Sequence, residues 1–445
     1  MGCRVMATVD GIVDEVMDSA SGKVSKRNPT LDYTPVWRGY DDAMEQLTFD
    51  PARTKSGLME SDGTANFATD AQARLVQALV TNITHSRLER NPADPLFQAR
   101  LYDAASFIAD SEDAHGRRTD SKVVDVPTSG ARGLWVSIPA DMGEQALVGA
   151  VQRVIGTSAH RFYVDAQAGG RFDVSIVRSL TVPFPETGSP RSFIDTLLKK
   201  MDFVVNDGSS THRTGPFHRN WDDVANAMSS LAIQHNLGAL LVPNLTAKAV
   251  RGSAAGVLLS ALARFTELSG IPVVCFGTPG ATAEIYTHGK ALNSLRNKGA
   301  VSITAFRLDE AQWFMWAEYL WDNYFAFSFR HPMPDWFPAE LWRLTSGLTE
   351  LATKLSVYVY SLREIEPEEE LTQQLLSSYA DVALQLDIGP LTALGLTQGG
   401  EFSTLGQGSA RLYADWIPLE SALTMALSVD GMPLGIALAS MRKAT

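Results

Sequence analysis

Between residues 130 and about 305, short apolar runs alternate with longer amphipathic ones. Leu134–Ile138, Val174–Val182, Ala239–Val242, Val273–Gly277 and Val301–Phe306 are short and largely apolar, the pattern of strands covered on both faces of a parallel sheet. Between them, Gly143–Ile155, Ser192–Val205, Asp222–His235, Ala254–Leu268 and Thr282–Asn297 place apolar residues at helical spacing. These connections are long enough for right-handed crossovers.

The flanks read differently. Residues 1–30 are polar and aperiodic, and a flexible arm is expected there. Residues 31–129 carry amphipathic stretches, notably Ala71–Ile83 and Leu96–Asp110, and predict a helical N-terminal region before the α/β core of 130–306. After Phe306 the strand pattern stops. Asp309–Tyr324, with Asp309 as N-cap, then Ala339–Thr345, Leu348–Leu362 and Pro367–Leu386 predict an all-helical lid over 307–395. Pro367 followed by Glu368, Glu369 and Glu370 suits a helix start, since proline fits the first position and acids favour the positive end of the dipole. The tail, 396–445, combines a glycine-rich loop, Gly399–Gly408, with an apolar segment, Ile417–Met441, that packs on the lid or docks on a partner. The fold class expected is therefore α/β: a parallel sheet sandwiched by helices, with helical regions before and after it.

Composition narrows the possibilities. The chain has 445 residues, of which 45% are hydrophobic, enough for two or three domains. Two cysteines, Cys3 and Cys275, make neither a disulfide framework nor a four-ligand zinc site. No stretch approaches the ~20 apolar residues of a membrane helix, and the N-terminus has no apolar signal core. A cytoplasmic protein is expected, with no membrane partner. The net charge of −12 argues against a wholly basic nucleic-acid binder but leaves room for a local basic surface.

The chemistry that matters follows the first strand. Gly133-Leu134-Trp135-Val136-Ser137-Ile138 runs into Pro139-Ala140-Asp141-Met142-Gly143-Glu144-Gln145 and then a helix. This is the outline of a phosphate-binding loop, G-x-x-x-x-G-K-[ST], in which backbone N–H groups cradle phosphate, the lysine neutralises it and the hydroxyl holds Mg²⁺. Gly143 holds the second glycine place and Pro139 fits the loop. Ile138 replaces the first glycine, Glu144 the lysine and Gln145 the hydroxyl residue. Taken alone, Gly143 is equally a close-packing glycine at a strand–helix junction.

Further along, Gly238-Ala239-Leu240-Leu241-Val242-Pro243-Asn244 precedes a helix and then Gly270-Ile271-Pro272-Val273-Val274-Cys275-Phe276-Gly277-Thr278-Pro279. Downstream come Trp313, Trp316 and Trp321, then Leu341-Trp342-Arg343-Leu344-Thr345-Ser346-Gly347-Leu348-Thr349-Glu350-Leu351 and the helices of Leu371–Leu394. Val182-Pro183-Phe184-Pro185-Glu186-Thr187-Gly188-Ser189 forms a turn after the second strand. In order and spacing these segments, over roughly residues 90–395, resemble the AAA+ transposition regulators of the TnsC/TniB/MuB type. In that family the first run is the Walker B strand, ending in Asp-Glu, and the second is the sensor strand, ending in G-T-P.

The resemblance implies an AAA+ P-loop-type fold, and the departures imply that its ATPase chemistry is gone. Pro243 and Asn244 stand where the family has the Mg²⁺-orienting aspartate and the water-activating glutamate. Glu144 reverses the charge of the lysine. Only Thr278 fits its sensor position. A pseudo-ATPase without catalytic residues is expected, with the degenerate positions Glu144, Gln145, Pro243 and Asn244 and the residual nucleotide-loop positions Pro139, Gly143 and Thr278. No cofactor is expected, and ATP/Mg binding is expected to be lost.

The resemblance also implies partners: double-stranded DNA, a transposase and other transposition proteins, and assembly with itself or an AAA+ paralogue. Arg213, Arg219, Lys248 and Arg251 are the DNA-contact candidates, since Arg and Lys suit phosphate contacts; a solvated loop is the competing reading. Arg296 is an interface candidate near where the family places an arginine that reaches a neighbour's nucleotide. His212 and His218 are too far from other ligands in sequence to support a metal site. The tryptophans at near-helical spacing read as lid core. Two alternatives remain open: a noncanonical NTPase using Asp141 and Glu144 to hold a divalent metal, and an adaptor of the same fold with no DNA role.

Overall fold

The computed structural model describes residues 27–49, 65–112, 130–165, 171–206, 221–286, 293–329, 332–363, 371–401, 404–405 and 407–427. In chain order the strands are β1 (Gly133–Ser137), β2 (Ala159–Asp165), β3 (Arg171–Val177), β4 (Leu180–Thr181), β5 (Leu240–Leu245), β6 (Val273–Gly277) and β7 (Ala300–Ser302). A five-stranded sheet has the order β4-β5-β6-β1-β7, with every pair in it parallel. β1 and β5 are therefore not neighbours; β6 lies between them.

Period-two alternation along the central strands feeds two cores. Leu134, Val136, Leu241, Val274 and Phe276 enter one; Trp135, Leu240, Val242, Val273 and Cys275 enter the other. The first is closed by the Asp70–Glu89 and Glu144–Ile155 helices and, continuously, by the lid. The second is closed by the Pro190–Asn206, Trp221–Gln234 and Ser253–Ser269 helices. The α/β P-loop-type class expected from the sequence is the class observed.

The Asp70–Glu89 helix starts at a capping box between Thr69 and Gln72. Its far end fastens the base of the sheet through buried arginines. Arg90 Nη2 donates to Leu237 O at 2.9 Å, Arg132 Nη2 to Glu89 Oε1 at 2.7 Å, and Arg87 Nη1 to Thr30 O at 2.6 Å. Burial lowers Arg90 to about 9 and Arg87 to about 10.

In the lid, Trp313, Trp316 and Trp321 are all buried, as the helical spacing implies. Trp313 Nε1 donates to Pro338 O at 2.9 Å. The Ala311–Leu320 helix passes into a π turn, Trp321–Phe325, where Trp321 and Phe325 stack at 5.4 Å.

Several expected elements change. The single strand expected over Val174–Val182 is two. β3 pairs antiparallel with β2 in a separate hairpin, and only Leu180 and Thr181 join the sheet. The break lies at Arg178 and Ser179, whose side chains bond Tyr33 O and Gly156 O. The last strand stops at Ser302, because β1 ends at Ser137 and offers the edge nothing further to pair with. The lid helix begins at Ala311 with Glu310 as its cap position; Asp309 instead pairs with Arg307 at 2.7 Å. Of the Thr282–Asn297 helix, Pro279–Ile285 and residues 293–295 are helical; residues 287–292 lie outside the described residues, as does the Pro367 start. Of the expected arm, residues 1–26 also lie outside them, but Asn28 is buried and caps Pro29–Tyr33.

Candidate nucleotide site

β1 delivers the loop to the carboxyl end of the sheet, where Gly143 (φ 80°) opens the Glu144–Ile155 helix in left-handed geometry. Asp141 also has positive φ, 60°. Such a turn aims backbone N–H groups at a common point, the basis of anion binding at helix N-termini. Here three of the loop N–H groups meet the chain's own acceptors. Ala140 N–H donates to Asp415 O at 2.9 Å, Met142 N–H to Pro139 O at 3.3 Å, and Gly143 N–H to the Glu350 carboxylate.

Three of the four positions expected to be degenerate, Glu144, Gln145 and Asn244, contact one another. Glu144 Oε1 accepts from the Asn244 backbone N–H at 2.6 Å, and Gln145 Nε2 donates to Asn244 Oδ1 at 2.9 Å. Asn244 sits at φ 69° where the β5–β6 register shifts. Asparagine tolerates this left-handed conformation better than most residues, and the bulge presents its N–H to Glu144. Pro243, buried beside it, lends its carbonyl to Phe184 N–H at 2.7 Å. Glu144, Gln145 and Asn244 thus form a clasp between loop and sheet.

A second clasp comes from the tail. Asp415 Oδ1 accepts from the Thr278 hydroxyl and from Ala247 N–H, the latter at 3.0 Å. Trp416 Nε1 donates to Asp141 Oδ2 at 2.6 Å. Gly280 lets the tail approach: a Cβ there would lie 2.6 Å from Asp415 Oδ1 and 2.9 Å from Ala414. Thr278, expected at a sensor position, thereby caps the Pro279–Ile285 helix and holds the tail at once.

The electrostatics follow from this crowding of acids. Burial pushes Glu144 up to about 7; the Asn244 N–H opposes the rise, and Glu350 adds to it. Glu350 is raised by burial and by Asp141, against the Gly143 N–H. Burial also raises Asp415, opposed by Thr278, Ala247 and Arg251. An entering phosphate would have to displace carboxylate and carbonyl oxygens from the loop N–H groups and face these acids. Two like charges at 4 Å repel by about 4 kcal/mol at an effective dielectric near 20. Among the described residues, no three His, Cys, Asp or Glu side chains are placed to hold a metal ion.

The remaining sequence candidates scatter. Pro139 is buried beneath the loop. Lys248 is exposed on the short Ala247–Val250 helix after β5, and Arg251 follows it, bonded through Nε to Glu284 Oε1 at 2.8 Å. Arg213 and Arg219 lie outside the described residues. Arg296 lies over the Tyr286 ring, 5.1 Å from its centroid, and bonds Tyr286 and Asn293. Sequence reasoning did not single out Glu350, Asp415 or Trp416. Glu350 stands inside the lid segment Leu341–Leu351 but was given no role there, while Asp415 and Trp416 stand in a stretch with no motif.

No family model and no curated protein sequence matches the chain. Among solved structures, it is similar to the Aeropyrum pernix ORC2 protein in its ADP form, at 12% identity and TM-score 0.37, over 78% of this chain and 85% of that one. The ADPNP-ADP complexes of the same protein give 11% identity and TM-score 0.36, over 72% and 90% of the two chains. C. elegans PCH-2 gives 9% identity and TM-score 0.32, over 68% and 70%. The fold assignment above rests on the sheet and its helices, not on these likenesses.

Proposed function

We propose that this chain is a non-hydrolysing P-loop-type scaffold of the AAA+ kind. It acts as a TnsC-like assembly factor that links target DNA to a transposase. The observation that carries the silent-site reading is the bond from Asn244 N–H to Glu144 Oε1. The residue in the lysine place and the residue in the glutamate place satisfy each other, so neither is free for a nucleotide. Self-bonding of the loop N–H groups supports the same reading.

The transposition role rests on the order of sequence segments that resemble that family. In ordinary members ATP sits between protomers and conditions assembly. Here assembly, with itself or an AAA+ paralogue, proceeds without ATP or Mg²⁺. DNA contact falls to Lys248, Arg251, Arg213 and Arg219.

The test is Mg·ATP binding and turnover by the wild type, with Glu144→Lys as the comparison, alongside duplex-DNA binding across a salt series. No turnover and weak or no nucleotide binding by the wild type, with DNA affinity that falls as salt rises, is the expected result. Tight Mg·ATP binding with turnover sinks the silent-site reading. No DNA binding even at low salt moves the chain to an adaptor role without DNA.

A further inference from the structure

A cavity of about 400 Å³ lies between the Pro279–Ile285 helix and the tail helices Gln407–Leu412 and Leu419–Leu427. Its apolar part is Ala283, Ala422 and Met425; its polar part is Arg251, Arg411 and Glu284. The volume is within the usual range for small-molecule sites, which combine apolar walls with a few placed polar groups.

The two guanidinium groups are not equivalent. Arg251 is anchored through Nε to Glu284 at 2.8 Å, which steadies its planar fork while leaving both Nη groups without a bond among the described residues. The exposed Arg411 has no ion pair or hydrogen bond among the described residues. Guanidinium forks match carboxylate oxygens in bidentate geometry. With Arg251 and Arg411 against Glu284, the wall carries a formal charge of +1. That sum favours a monoanion over a phosphate dianion, whose second charge would face Glu284. Asp415, beside Gly280 of the wall, feels Arg251 and Glu284 as well and accepts from Thr278 and Ala247.

We infer that this cavity is a binding site for a small carboxylate with an apolar body, held between Arg251 of the core and Arg411 of the tail. The ligand bridges the two elements that meet at Asp415, and so fastens the tail over the loop. The inference does not rest on the transposition reading, and Arg411 is not among the DNA candidates.

The test uses the full chain with hexanoate as probe, its neutral analogue hexanamide, and inorganic phosphate. Hexanoate should raise the melting temperature saturably by about 2 °C or more, as any ligand selective for the folded state does. It should also slow proteolytic cleavage within residues 407–427. Hexanamide and phosphate should do neither. Arg411→Ala should weaken the hexanoate response at least about tenfold, Arg411→Lys should weaken it less, and Arg307→Ala, at an exposed residue outside the cavity, should leave it unchanged. Since Arg411 is exposed, its replacement leaves the fold intact. The proposal is overturned if hexanoate has no saturable effect, if hexanamide matches it, if phosphate outcompetes it, or if Arg411→Ala responds like the wild type.

Discussion

Replacing Glu144 by glutamine should stabilise the protein above neutral pH while leaving it unchanged in acid. Glu144 is largely buried, accepts one backbone N–H and faces Glu350, and its carboxyl is pushed from 4.5 up to about 7. The sign follows from proton linkage. The folded state holds this proton more tightly than the unfolded chain, so the stability it brings is complete below pH 4.5. That stability is lost as pH rises to about 7 and stays lost beyond it. At about 1.4 kcal/mol per pH unit, the loss amounts to about 3 kcal/mol between the two ends. A glutamine oxygen still accepts the Asn244 N–H, and its amide can donate toward Glu350. The exchange of a charged for a neutral hydrogen bond returns about 1 kcal/mol of that gain. Glu144→Gln should therefore be about 1–3 kcal/mol more stable than the wild type at pH 8 and equal to it near pH 4.5. Urea unfolding at half-unit pH intervals measures this, provided the urea dependence itself does not change. The reasoning is refuted if the variant is less stable at pH 8, or if its stability falls between pH 5 and 7 as steeply as the wild type's.

Two other outcomes are expected. Asp415→Ala leaves Thr278 and Ala247 without their tail acceptor at a cost of about 1–3 kcal/mol; limited proteolysis should then cut within residues 407–427 about tenfold faster, and an unchanged cleavage rate would contradict the clasp. Cys275 is fully buried in β6, and burial raises its thiol well above the usual range. In a Cys3→Ser background, a maleimide at pH 8 should label it only along the urea unfolding curve, so rapid labelling of the native protein would show the strand to be open.

The sheet and its helices were readable because their signal is local. β6 was read at its observed bounds, since Val273 to Phe276 are apolar without exception and Gly277 ends the run. The helices erred mainly at their ends, as where Asp309 turned to Arg307 instead of capping. The site was harder because its contacts are distant in sequence. Trp416 and Asp141 are 275 residues apart, and Thr278 and Asp415 are 137. No periodicity links a tail dipeptide to a loop. The apolar tail was visible as a segment needing cover. Its described part lies against the Pro279–Ile285 helix of the core, where Gly280 makes room for it. The bulge at Asn244 was likewise hidden, since Val242-Pro243-Asn244-Leu245 reads as a strand running out, not as one that resumes pairing with β6 at Leu245.

On the proposed reading, the mismatches in the loop and at the end of β5 look independent in sequence, three losses that each weaken nucleotide handling. In space they depend on one another. Glu144 needs a donor, and Asn244 supplies it only because β5 bulges there; Gln145 then satisfies the Asn244 side chain. Glu350 fills the Gly143 N–H, and Trp416 Nε1 bonds the Asp141 carboxylate. Restoring one position therefore restores little. A lysine at 144 would deprive Asn244 N–H of its acceptor and would find Glu350 as an ion-pair partner before any phosphate reached it. Pro243 would still offer no acceptor for Mg²⁺, and the Asn244 amide no base for water. Glu144→Lys is expected to gain at most weak nucleotide binding and no turnover.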